Sequence, residues 1–185
     1  MRALAVCLTV GLAATPALGA GSVFGSGFAR QCFDAAIAGR ADAGALGICD
    51  KALSDPSLLA SDRGATLVNR GVLKLRSRQY VEAMTDLSEG VKLNPEAGDG
   101  WLDKGAVELA LHHDREGLDD IDHAISLGVR EPQKAYYDRA VAEERLNDDL
   151  AAYFDYQRAI QIAPDWELPK TELKHFTVTE KPPQG

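Results

Sequence analysis

The chain has 185 residues, with 20 Lys and Arg against 28 Asp and Glu, a formal charge of −8 and a pI near 5.0. Apolar residues at 45% and charged ones at 26% are globular values, which speaks against a disordered or collagen-like chain. The acidic balance speaks against a nucleic-acid binder, which needs a basic face to neutralise phosphates, and against a polybasic membrane patch.

Met1-Arg2 is a short positive start, Ala3 to Ala14 an apolar run, and Thr15-Pro16 its break. Ala17 and Gly19 then place small residues where a signal peptidase cuts. Residues 1–20 have the layout of a secretory signal, and the apolar run is too short to span a membrane. The expected location is therefore periplasmic or secreted. Removal of the signal takes away Arg2 and Cys7, which deepens the acidic balance by one charge and leaves Cys32 and Cys49. In an exported chain this pair reads first as a disulfide, then as two buried thiols, and last as a nucleophile. No later segment reaches the ~18 apolar residues of a membrane span.

Residues 21–63 hold a linker and two weak helical patterns, Phe28 to Ala38 and Ala43 to Leu53, diluted by Gly39, Gly44 and Gly47. From Gly64 a repeat sets in. Gly71 falls on Gly105, Leu87 on Ile121, Gly90 on Ala124 and Val91 on Ile125, all at an offset of 34. A third copy begins one residue late, at Gln133, and brings Ala140, Ala152, Tyr156 and Ala159 to the same columns. Each copy contains two helical patterns. In the first copy, Leu67, Val68, Gly71, Val72 and Leu75 share one helix face. After a polar break at Ser77 to Gln79, Tyr80, Ala83, Met84, Leu87 and Val91 trace a second helix, stopped by Asn94-Pro95. Such a hairpin cannot bury its apolar stripe alone, so copies must stack. Asp165-Trp166 opens a last helix over 165–176, and 177–185 is a polar tail.

The segments NRGVLKLRSRQYVEAM, WLDKGAV and YYDRA…AAYFDYQRAIQIAPD resemble tetratricopeptide repeats. The family's small eighth residue matches Gly71, Gly105 and Ala140, its Ala at place 20 matches Ala83 and Ala152, and its Pro at place 32 matches Pro95 and Pro164. Place 11, usually aromatic, departs as Lys74, Glu108 and Glu143, and Val129 stands where the middle copy's Pro is due. The resemblance implies an all-α superhelix with three good repeats over 64–164, a divergent N-terminal hairpin and a C-terminal capping helix. Aligned through Ala52, Cys32 falls near place 7 and Cys49 near place 24, which the resemblance places face to face across the divergent hairpin.

Chemistry is sparse. The chain has no nucleophile elbow, phosphate loop, zinc-protease motif or dinucleotide fingerprint, so neither an enzyme nor a cofactor is expected. His112-His113, with Asp119 and His123 after it, offers metal-ligand types without a recognised spacing. It reads as a turn followed by a solvated helix face carrying one i, i+4 pair, with a metal-binding or enzymatic accessory role as the alternative. The resemblance implies a non-catalytic interaction module whose concave face is lined by the first helix of each copy. The residues it assigns there are Val68, Asn69, Val72 and Arg76, then Asp99, Leu102, Asp103 and Ala106, then Tyr137, Asp138, Val141 and Arg145. Family members that grip a C-terminal carboxylate use a Lys/Arg/Asn set there; only Asn69 matches, and Asp103 and Asp138 would repel one. The expected partner is an apolar or amphipathic, preferably basic, protein or peptide segment. Three other uses stay open: packing of the repeats alone, occupation by residues 21–27 or the tail, and promiscuous capture of unfolded clients.

Overall fold

A computed structural model describes residues 27–176; the expected signal and the polar tail lie outside the described residues. Among the described residues nine α-helices follow one another: α1 Gly27–Ile37, α2 Ala43–Leu53, α3 Ala60–Arg76, α4 Tyr80–Leu93, α5 Gly98–Ala110, α6 Asp114–Leu127, α7 Pro132–Arg145, α8 Asp149–Ile162 and α9 Glu167–Glu172. A 3-10 turn, Leu173–His175, closes the series. Consecutive helices pair into the hairpins α1–α2, α3–α4, α5–α6 and α7–α8, and each hairpin packs against the next in an all-α superhelix. The first helices α1, α3, α5 and α7 also touch one another along the stack, so they form its inner row.

Two boundaries differ from expectation. Helix α3 begins at Ala60, so the proposed repeat start at residue 64 falls inside it. Leu58 is the cause: it is buried with Ala29 and Ala52, while the Arg63 guanidinium donates to the Leu53 carbonyl at 2.9 Å. The terminal cap is a six-residue helix and a 3-10 turn rather than one helix over 165–176.

All four hairpin turns share one geometry. Gly39, Arg78, His112 and Asn147 are left-handed, with φ of 70°, 59°, 63° and 65°. The next residue's N–H closes back on the carbonyl five residues earlier, as in Gln79 to Lys74 and His113 to Glu108, both 2.9 Å. This shared turn sets the true register of the divergent hairpin. Seven residues before each left-handed residue stand Cys32, Gly71, Gly105 and Ala140, so Cys32 occupies place 8 rather than place 7. In that column the two helices of a hairpin pack closely. A Cβ on Gly71 would lie 2.6 Å from Leu87 Cγ, and one on Gly105 2.7 Å from Ile121 Cγ1. Ala140 packs on Tyr156 in the same way. In the first hairpin the sulfurs of Cys32 and Cys49 stand at bonding distance, 2.07 Å, with Cα atoms 4.9 Å apart.

The departure at place 11 has a polar explanation. In each good copy a basic residue of the first helix meets a buried Asp of the second. Arg70 binds Asp86 through two bonds of 2.8 and 2.7 Å, Lys104 pairs with Asp120, and Arg139 binds Asp155 at 2.5 and 3.0 Å. Lys74, Glu108 and Glu143 sit beside these pairs, Lys74 reaching Asp86 at 2.7 Å. Charge thus fills the space an aromatic ring would take. Some links cross between copies: Arg70 reaches Asp50 of α2 at 2.7 Å, and Arg139 reaches Asp122 of α6 at 2.8 Å.

Candidate peptide-binding groove

The inner row presents two cavities. The first, about 450 Å³, lies between α3 and α5, with Ala65 and Val68 as floor and Phe33 of α1 as one wall. Asn69, Asp99 and Arg130 line its polar side. The second, about 470 Å³, lies between α7 and the cap and is lined by Tyr137, Val141, Glu144, Arg145, Tyr156 and Glu172.

Between them sit Asp103 and Asp138, both half-buried. Burial pushes the Asp103 carboxyl up to about 7, helped by the charge of Asp99 and opposed by Arg130 and Arg76. Burial likewise pushes Asp138 up to about 7, against the attraction of Lys134. Among the described residues neither forms a salt bridge. Asp99 is different: it accepts from the Arg130 backbone N–H at 3.0 Å and from its Nε at 2.5 Å. The acidic stripe read from sequence is therefore one neutralised carboxylate and two that take up protons near neutrality.

The structure brings Val68, Asn69 and Asp99 to the first cavity, and Tyr137, Val141 and Arg145 to the second. Val72 and Ala106 are half-buried on the inner helices and line neither cavity, while Leu102 is buried in the core with Ile121 and Ala135. Arg76 and Arg145 hold their own stack together. Each donates to the last turn of the preceding inner helix, Arg76 to the Ala36 carbonyl at 2.5 Å and Arg145 to the Leu109 carbonyl at 2.8 Å. Sequence reasoning missed Phe33, Arg130 and Glu172, which lie in a divergent hairpin, a connector and a cap outside the repeat columns. It placed Tyr156 in a packing column; its aromatic ring where the other copies have Leu87 and Ile121 was the available signal.

The His-rich turn gathers no metal site. His113 Nδ1 lies 2.8 Å from Glu108 Oε2, and His123 packs edge-on against Trp101 at 4.8 Å rather than pairing with Asp119. Among the described residues no three His, Cys, Asp or Glu side chains cluster as metal ligands.

Stacked helical hairpins with small residues where their helices pack closely, and a row of first helices on the inner side, decide the architecture. The chain has the tetratricopeptide-repeat fold. The tetratricopeptide domain of Arabidopsis OM64 superposes with a TM-score of 0.60 at 22% identity, over 63% of this chain and 95% of that one. The first such domain of Spaghetti (RPAP3), solved with the HSP90 peptide SRMEEVD, gives 0.58 at 23%, over 62% and 90%. The MamA crystal structure gives 0.62 at 20%, over 77% and 80%. No protein-family model and no curated protein matches the chain. Among the described residues no helix is long and apolar enough to cross a membrane.

Proposed function

We propose that this tetratricopeptide protein is a non-catalytic interaction module of the cell envelope that binds a peptide or protein segment along its concave face. The observation that carries this is the run of two cavities on one row of helices, joined by Asp103 and Asp138. An extended segment fits such a groove by placing side chains in the cavities and its backbone between them. The chemistry of the groove also selects. The RPAP3 structure holds a peptide ending in acidic residues, SRMEEVD. Here Asp103 and Asp138 stand in the groove and only Asn69 resembles a carboxylate grip, so the segment taken is apolar or basic.

Export is part of the same reading. A secretory signal at 1–20 would deliver the chain to an oxidising compartment, where Cys32 and Cys49 close as a disulfide. The test is site-specific photocrosslinking in the native compartment, with benzoylphenylalanine at Val68, Val141 or the exposed outer position Thr85. The expected outcome is one shared partner segment captured from Val68 and Val141 and not from Thr85. Capture from Thr85 with equal yield would move binding to the outer helices.

A further inference from the structure

The second cavity has a chemistry of its own. Glu144 accepts from the Tyr156 hydroxyl at 2.9 Å, and Glu172 faces the same space from α9. Among the described residues neither carboxylate forms an ion pair with Lys or Arg; the basic side chain nearest to either is His175, 3.8 Å from Glu172. Arg145 lines the cavity, but its guanidinium is held by the Leu109 carbonyl at 2.8 Å and Asp114 at 3.1 Å. The remaining lining is Val141 and two tyrosines. The Tyr137 and Tyr156 rings lie 5.6 Å apart, tilted at 58°, and Trp166 backs Tyr137 at 5.0 Å. Burial raises both tyrosine hydroxyls above their usual range, Glu144 and Glu172 push the same way, and the Arg145 charge opposes them at Tyr137.

Two carboxylates without a Lys or Arg counter-ion, set beside aromatic rings in one cavity, favour a cation. A guanidinium is planar, stacks on an aromatic face and offers a donor fork to a carboxylate, and it gives up its hydration more readily than an ammonium. We propose that this cavity is a cation-binding subsite that receives an arginine side chain of the segment lying in the groove, stacked on Tyr137 and bonded to Glu144 and Glu172. The inference rests on the groove reading above and specifies one residue of the ligand.

The test has two arms, both on the full chain. In the first, N-acetyl-arginine amide and its neutral isostere N-acetyl-citrulline amide are titrated into isotope-labelled protein and followed by NMR. Arginine amide is expected to shift the amides of Tyr137, Val141, Tyr156 and Glu172, citrulline amide is not, and Glu172→Gln is expected to weaken the arginine response at least fivefold. Glu144→Gln, which can still accept from Tyr156, serves as a second variant, with the melting curve checking its fold. Equal response to the two amides overturns the subsite. In the second arm, peptides selected on the protein are compared with versions carrying citrulline for arginine. A tenfold loss supports the proposal, and a loss under twofold in peptides that Val68→Arg displaces overturns it while leaving the groove intact. Peptides that bind regardless of Val68→Arg overturn the groove reading instead. Arginine amide binding that appears only after residues 177–185 are removed assigns the cavity to the chain's own tail and also overturns the proposal.

Discussion

Asp103 and Asp138 sit one inner helix apart, and Glu143 lies behind them beside Arg139; burial pushes all three up to about 7. An unfolded chain loses these protons near 3.8 for Asp and 4.5 for Glu, so between those values and about 7 the folded state holds protons that the unfolded state has released. Stability from these groups is full below the unfolded values and lost as pH rises through about 7. Urea unfolding at pH 5 and pH 8 should therefore show the wild type weaker at pH 8. The double variant Asp103→Asn, Asp138→Asn should exceed wild type by clearly more at pH 8 than at pH 5; an equal offset at both pH values would refute the assignment. The acidic residues were legible in the sequence, but their proton affinity was not. It depends on burial, and on Arg130 sitting 31 residues from Asp99 to neutralise it.

At the scale of the element, glycines of opposite meaning are separated only by what surrounds them. Gly47 lies inside α2 with nothing within 4 Å of an added Cβ, whereas a Cβ on Gly98 would lie 2.3 Å from the Gly128 carbonyl oxygen. Gly47→Ala is expected to stabilise by about 0.5–1 kcal/mol through helix propensity alone. Gly98→Ala should cost about 2 kcal/mol or more, because a backbone oxygen cannot move aside as a side chain can. Midpoints in urea at an unchanged slope would check both. Helix α2 itself was fully legible, since Ala43–Leu53 is the span the pattern predicts, and Asp42 anchors its start by accepting from the Ala45 N–H at 3.0 Å. The hairpin turns were legible only as polar breaks. Arg78 and His112 hold a left-handed conformation that their residue types do not announce; the closure onto Lys74 and Glu108 enforces it.

Over the whole molecule, periodicity made the three good repeats readable, while the divergent hairpin needed its turn geometry to be placed in register. Its Cys32–Cys49 contact stands in the column that the other copies fill with Gly71–Leu87, Gly105–Ile121 and Ala140–Tyr156. Replacing both cysteines by Ala should cost about 3 kcal/mol for a loop of this length in the chain-entropy account. The loss should appear first as faster amide exchange in α1 and α2, with α7 and α8 unaffected. Uniform acceleration along the chain would show that the hairpin is not a separate unit.

The stack is also jointed unevenly. Between the first and second hairpins, Arg70 and Arg76 bolt α3 to Asp50 and the Ala36 carbonyl; between the third and fourth, Arg139 and Arg145 bolt α7 to Asp122 and the Leu109 carbonyl. At the middle junction, Ser88 stands where Asp50 and Asp122 stand, and Ala110 where Arg76 and Arg145 stand. Close packing of Gly100 beside Val68 and Val91 holds that junction, together with one bond from the Trp101 indole N–H to the Pro95 carbonyl at 2.8 Å. Among the described residues no salt bridge crosses between the α3–α4 and α5–α6 hairpins, so ion pairs do not fix the angle at this junction as they do at the other two. The first cavity lies across this joint, Phe33 and Val68 on one side and Asp99 and Arg130 on the other. A change of angle at this junction would move the two walls of the cavity relative to each other.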